Sequence, residues 1–188
     1  MLSLSAHKFN GPQGVGALVL RKKRYKLPPV KAISYGGQQE HGIRPGTIPV
    51  ALVAGLGKAC EIANDEYKKN FNHCMDIKKD VVDLIEKSGL DYVFNGNQDF
   101  CMPNTINVSF RGVESEALML SSKQFCGISN GSACTSNDYK PSYVLTAMEI
   151  DKDIISSAIR ISWGAASDEK LVKENIQSLL EVAKSLSF

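Results

Sequence analysis

The start of the chain limits what it can fold into more than any other stretch. Met1-Leu-Ser-Leu4 reads as the end of a strand with no capping residue ahead of it, and it runs straight into Ser5-Ala-His-Lys8. Gly11-Pro-Gln-Gly-Val-Gly16 follows and opens the apolar run Ala17-Leu-Val-Leu20. These glycines are spaced G-x-x-G-x-G and lead into a strand. A dinucleotide fingerprint is spaced G-x-G-x-x-G and leads into a helix, so this motif is a different device. Two short strands do not make a stable sheet by themselves. Strands that begin at residue 1 are therefore expected to join a sheet whose other members come from elsewhere.

A glycine-rich loop runs from Gly36 to Gly46 and contains Gln38, Gln39, Glu40, His41 and Arg44. Pro49 predicts the first turn of a long helix reaching about Asn70. Its small residues, among them Ala51, Gly55 and Ala59, predict close packing against another element. Met75, Ile77, Val81, Val82, Leu84 and Ile85 predict a second helix over about 72–87, closed by Gly89. Strands are expected at Tyr92–Phe94, Thr105–Phe110 and Ala158–Trp163, with a short one at Gly127–Ile128. Helices are expected over Ser115–Phe125, Pro141–Met148, Asp151–Ser156 and, capped by Ser167, Asp168 to about Leu186. From about residue 72 onward this reads as one α+β layer of helices on a small sheet.

At 188 residues the chain holds one domain with a real core, or one domain and a piece of another. A net charge of +2 argues against nucleic acid or a membrane surface as partner. No apolar run spans a membrane and no secretory signal is apparent. The five cysteines are odd in number and form no C-x-x-C pair, which argues against structural zinc and for a reducing, cytoplasmic setting. Cys60 and Cys101 are expected to be buried.

Three places could carry chemistry. Ile128-Ser-Asn-Gly-Ser-Ala-Cys-Thr-Ser-Asn137 sets Cys134 among small polar residues, in a loop able to bring a thiolate to a site. An exposed loop with an incidental cysteine fits the same composition. Residues from about Gly131 to Lys140 are expected to be the most mobile internal stretch. Lys8, beside Ser5 and His7, could form a Schiff base with a carbonyl cofactor or could be a surface lysine; Ser5 and His7 could bind an anion such as phosphate. Thr47, next to Arg44 and Gly46, offers a second anion contact. Arg160 lies in a strand among apolar neighbours, and a buried arginine needs an anionic partner, either a substrate carboxylate or a structural ion pair.

Taken together these residues resemble the pyridoxal-phosphate-dependent cysteine desulfurases, the NifS/IscS-like branch of the fold-type I aminotransferases. The carrying motifs are Ser5-Ala-His-Lys8 with Gly11–Ala17, Gly42-Ile-Arg-Pro-Gly-Thr47-Ile-Pro49, Pro103–Phe110, Ser132-Ala-Cys-Thr-Ser136, Pro141–Leu145 and Ile159-Arg-Ile-Ser162. The wording around Cys134 is most similar to the desulfurases that supply sulfur for DNA phosphorothioation; iron–sulfur cluster assembly is the other role the family covers.

The resemblance implies an α/β fold built from a remnant of the large cofactor domain (1–48), an inter-domain helix (49–71) and a complete small domain (72–188). It implies that Lys8 holds the cofactor, that Ser5 and His7 contact its phosphate, and that Thr47 reaches the phosphate of the partner subunit in a homodimer. Arg160 would bind the carboxylate of L-cysteine. Cys134 would take its sulfur as a persulfide, releasing alanine, and pass it to a protein acceptor; no metal, nucleic acid or membrane is implied. Relatives carry glycine where Glu149 stands. They also carry a long segment ahead of the lysine that supplies a carboxylate for the pyridine nitrogen, so this chain alone is expected to be inactive. A non-catalytic domain that binds a sulfur acceptor or scaffold is the alternative.

Overall fold

A computed structural model describes residues 1–130 and 141–187. Cys134 and the stretch expected to be mobile lie outside the described residues. The chain divides into two compact units, Met1–Tyr67 and Lys68–Phe188.

In the first unit β1 (Leu2–Ser5) pairs antiparallel with β2 (Gly16–Val19), Leu2 opposite Val19 and Ser5 opposite Gly16. The sheet has two strands among the described residues, and Leu2, Leu18 and Val19 are exposed on it. A 3-10 turn, Ala6–Phe9, connects the strands' near ends and is stopped by Asn10 at φ 65°. The loop after it packs on the start of α1 (Val50–Glu86): a Cβ on Gly55 would meet Pro12 Cγ at 3.0 Å, and one on Gly11 would meet Ala59 Cβ at 3.1 Å. The small residues of this helix thus permit the close approach the sequence suggests.

α1 is one helix of 37 residues, where the sequence suggested a break near residue 71. Phe71 and Asn72 are both tolerated in a helix, and with no glycine or proline between 58 and 88 the backbone has no reason to stop.

The second unit is a three-stranded antiparallel sheet, β3 (Tyr92–Phe94), β4 (Thr105–Phe110) and β5 (Ala158–Ser162), in the order β3-β4-β5. Alternation sorts its faces. Ile106, Val108 and Phe110 on β4 and Ile159 and Ile161 on β5 enter a core with Ile77, Val81 and Ile85 of α1 and with Ile176, Leu179 and Leu180 of α5 (Glu169–Leu186). The Trp163 indole N–H donates to the carbonyls of Cys74 (3.0 Å) and Pro103 (3.1 Å), tying α1 to the strand ends. α5 begins one residue later than expected. The Asp168 carboxylate accepts from Leu171 N, while the Ser167 hydroxyl is taken by Gly164 N.

Three short helices complete the unit: α2 (Ser115–Ser121), α3 (Tyr143–Ala147, capped by the Ser142 hydroxyl) and α4 (Lys152–Ser156). α3 ends where Glu149 stands. Ile150 N donates to Leu145 O and Glu149 N to Thr146 O, with Ile150 packed against Leu145. This is a Schellman closure, and it holds Glu149 at φ 58°, a conformation suited to glycine.

Candidate active site

The first unit gathers Ser5, His7 and Lys8 at one bend. Ser5 ends β1 in extended geometry (φ −121°, ψ 127°), and the tight turn after it brings His7 and Lys8 round beside it. The bend is fixed from below. Ala6 is fully buried, its N–H donates to Val15 O (3.1 Å), and its carbonyl accepts from Gly11 N (2.9 Å). Gly16 has to be glycine, because a Cβ there would lie 2.5 Å from the Leu4 carbonyl oxygen. With the backbone so held, the exposed Lys8 and Ser5 side chains line an open cleft of about 380 Å³ with Ser3, Leu4 and Phe9. That lining supplies an amine, two hydroxyls and an apolar wall, and no carboxylate. His7 is exposed next to it.

Thr47 follows a loop shaped by two left-handed glycines, Gly42 (φ 73°) and Gly46 (φ 108°), and by Gln39, whose side-chain oxygen accepts from Gly46 N (3.2 Å). Thr47 is exposed and is not among the residues lining the cleft.

The second unit places Arg160 differently from expectation. Its neighbours Ile159 and Ile161 are buried, but Arg160 itself is exposed, because a strand sends successive side chains to opposite faces. It stands opposite Asn107 on a polar face, where Asn95 Nδ2 donates to Asn107 Oδ1 (2.7 Å) and Thr105 and Ser162 share a 3.0 Å hydrogen bond. Among the described residues no carboxylate pairs with its guanidinium.

Its backbone has another role. Arg160 N donates to Ser129 O (2.6 Å) and Ser129 N to Arg160 O (3.2 Å), in place of the expected strand at Gly127–Ile128. On the far side of 131–140, Leu145 packs with Ile155 and with Ala158 of β5. Both flanks of the Cys134 segment are thereby anchored on or beside the strand that carries Arg160. Neither anchor had a signal in the sequence, since register between distant residues leaves no local pattern.

The other thiols divide by environment. Cys74 is buried, and burial pushes its thiol pKa up. Burial also raises that of half-buried Cys126, opposed by a hydrogen bond with Ser122. Cys60 is exposed, not buried as its apolar run suggested, although its helix neighbours Leu56 and Ala59 are buried. Cys101 is only partly buried, and its Sγ donates to Asn97 O.

The family model described as Aminotransferase class-V matches residues 1–174. The chain belongs to this family. A cysteine desulfurase of Pongo abelii is 39% identical over 186 residues, covering 99% of this class-V chain and 40% of that protein. A solved NifS-like protein superposes with a TM-score of 0.80 at 30% identity, over 97% of this chain and 46% of the other. DndA from Streptomyces lividans gives 0.69 at 31% identity, over 86% and 46%. The class-V chain thus spans less than half the length of these relatives and shares their α/β fold. Among its described residues no helix is long and apolar enough to cross a membrane, and no cluster of His, Cys, Asp or Glu is placed to hold a metal.

Proposed function

We propose that this chain provides the cofactor-lysine, substrate-carboxylate and sulfur-accepting parts of a pyridoxal-phosphate-dependent cysteine desulfurase. The observation that carries this reading is the order of its parts along one class-V chain. An exposed amine, Lys8, lines a hydroxyl-bearing cleft in the first unit. An exposed guanidinium, Arg160, lies in the second unit beside the backbone leading to Cys134.

The residues suit the cofactor in part. Lys8 would hold it, Ser5 and His7 would donate to its phosphate, and Thr47 would donate to the phosphate in a partner subunit of a cytoplasmic homodimer. Pyridoxal phosphate, when bound, supplies an electron sink next to the α-carbon of the substrate. Arg160 would bind the carboxylate of L-cysteine in a two-pronged contact. Lys8 Nζ would move the proton at the α-carbon. The Cys134 thiolate would attack the substrate's sulfur: an S–S bond forms, the C–S bond breaks, and Cβ keeps the electron pair and takes a proton to become the methyl of alanine. The persulfide left on Cys134 then passes its outer sulfur to an acceptor thiol. The residues around Cys134 favour DNA phosphorothioation as the destination over iron–sulfur cluster assembly.

One observation favours a second reading, a sulfur-acceptor or scaffold-binding domain without catalysis of its own: the cleft lining has no carboxylate to hold the pyridine nitrogen. Both readings are tested together. The chain is incubated with pyridoxal phosphate, reduced with borohydride and mapped, and alanine release from L-cysteine is followed with and without the N-terminal half of a relative. Fixation at Lys8, and alanine release that needs the added half and is lost in Lys8→Ala and Cys134→Ser, supports the desulfurase. Fixation elsewhere, with no alanine under either condition, leaves the second reading.

A further inference from the structure

The near-neutral total charge hides a strong asymmetry. The first 39 residues carry +7 and no aspartate or glutamate, and the remaining residues carry −5, which together make the +2 of the chain. Five of those seven cations fall in Arg21-Lys-Lys-Arg-Tyr-Lys26. Ion pairs among the described residues occur only from Lys58 onward, so none of these cations is neutralised by a carboxylate there.

The run is shaped as a hairpin tip. Lys23 N donates to Lys26 O (2.9 Å) and Lys26 N to Lys23 O (3.1 Å), closing a two-residue turn. The turn residues, Arg24 (φ 49°) and Tyr25 (φ 67°), are both left-handed. Such turns favour Asn-Gly, and a bulky aromatic there is an outlier. An arginine and a tyrosine held against their backbone preference point to a use for their side chains. Tyr25 is 97% exposed, and Ile33 and Tyr35 further along are 96% and 88% exposed.

We propose that the Arg21–Lys26 hairpin is a binding site for single-stranded nucleic acid, in which the cations track the phosphates and Tyr25 stacks on a base. Extended residues on one side of a strand are about 6.6 Å apart and successive ones alternate sides, so the tip presents positive charge on both faces. A cationic track with an aromatic platform is the combination that single strands use; a duplex keeps its base faces hidden from such a ring. A folded acidic protein would be served by the cations alone and gives no role to Tyr25.

The test is fluorescence anisotropy of the full chain with short labelled single-stranded DNA, the same sequence as RNA, and the DNA duplex. For five neutralised phosphates the log–log salt slope on a single strand is about −3.5, roughly a hundredfold loss between about 50 and 200 mM salt. Lys22→Gln/Lys23→Gln/Lys26→Gln should cut that slope to about −1.4. Tyr25→Asn suits the left-handed turn and so leaves the hairpin intact; it should weaken single-strand binding by about fivefold or more while leaving duplex binding unchanged. DNA and RNA binding alike indicate phosphate-and-base recognition, and a preference for RNA assigns the 2′-hydroxyl a part in it. Absence of binding would overturn the proposal and leave the run as protection of the sheet edge. Displacement by polyglutamate as effective as by unlabelled single strand, with Tyr25→Asn silent, would overturn it in favour of an acidic protein partner.

Discussion

The two units place their chemistry on very different foundations. Met1–Tyr67 buries three apolar residues, Ala6, Leu56 and Ala59, and leaves Leu2, Leu18, Val19 and Val50 exposed. Among its described residues Lys68–Phe188 buries twenty, sixteen of them in one core that joins α1, α5 and the inner face of β3-β4-β5. The cleft that holds Lys8 therefore keeps its shape through local backbone hydrogen bonds and close-packed glycines. Arg160 keeps its position because the residues on either side of it are core. A site built the first way tolerates side-chain change and is sensitive to backbone change; a site built the second way is sensitive to loss of packing well away from it.

Core truncation should show this contrast most strongly. Leu179→Ala, at a fully buried position, is expected to lower the stability of the second unit by about 2–5 kcal/mol in denaturant unfolding. Leu56→Ala should leave that main transition in place and show instead as faster amide exchange at β1 and β2; an equal loss from both changes would erase the distinction. Trp163→Phe comes next. It removes the donor to two buried carbonyls, Cys74 O and Pro103 O, and should cost about 1–3 kcal/mol by the same measurement.

Thiol chemistry sharpens the comparison at single residues. Iodoacetamide labelling followed by peptide mapping should modify Cys60 of the first unit well before Cys74 of the second, whose burial both hides it and holds it protonated. The smallest effect concerns Lys173. Hydrogen bonds to Asp80 (2.8 Å) and then Glu169 (2.9 Å) raise its pKa above the ordinary 10.5. A group whose folded pKa is raised contributes fully below its unfolded value and loses that contribution as pH climbs through the folded one. Thermal melts of Lys173→Met should therefore differ slightly from the parent up to about pH 10.5 and converge with it above.

Much of the second unit was legible in advance. Alternation located β4 residue for residue, the apolar period located α5, and β3 was read from its short run before the Asn95-Gly96 turn. Those patterns gave out where local evidence ends. The Arg160 neighbours are apolar whichever way Arg160 faces, and only the register of β5 against β4 settles that it faces out beside Asn107. The anchoring of Ser129 on β5 is a long-range pairing without a sequence trace. In the first unit the residues of the cleft were readable as a motif. The exposure of Cys60 was not, since an apolar run on a helix does not say which part of it meets a partner.

Glu149 has a consequence in genetics. It occupies a closure that holds any side-chain-bearing residue at a cost of about 1 kcal/mol relative to glycine. Both glutamate codons become glycine codons by a single transition at the second base. The chain is thus a single base change away from a stabilising substitution, Glu149→Gly, at an exposed side chain, and a library selected for heat resistance should return it early.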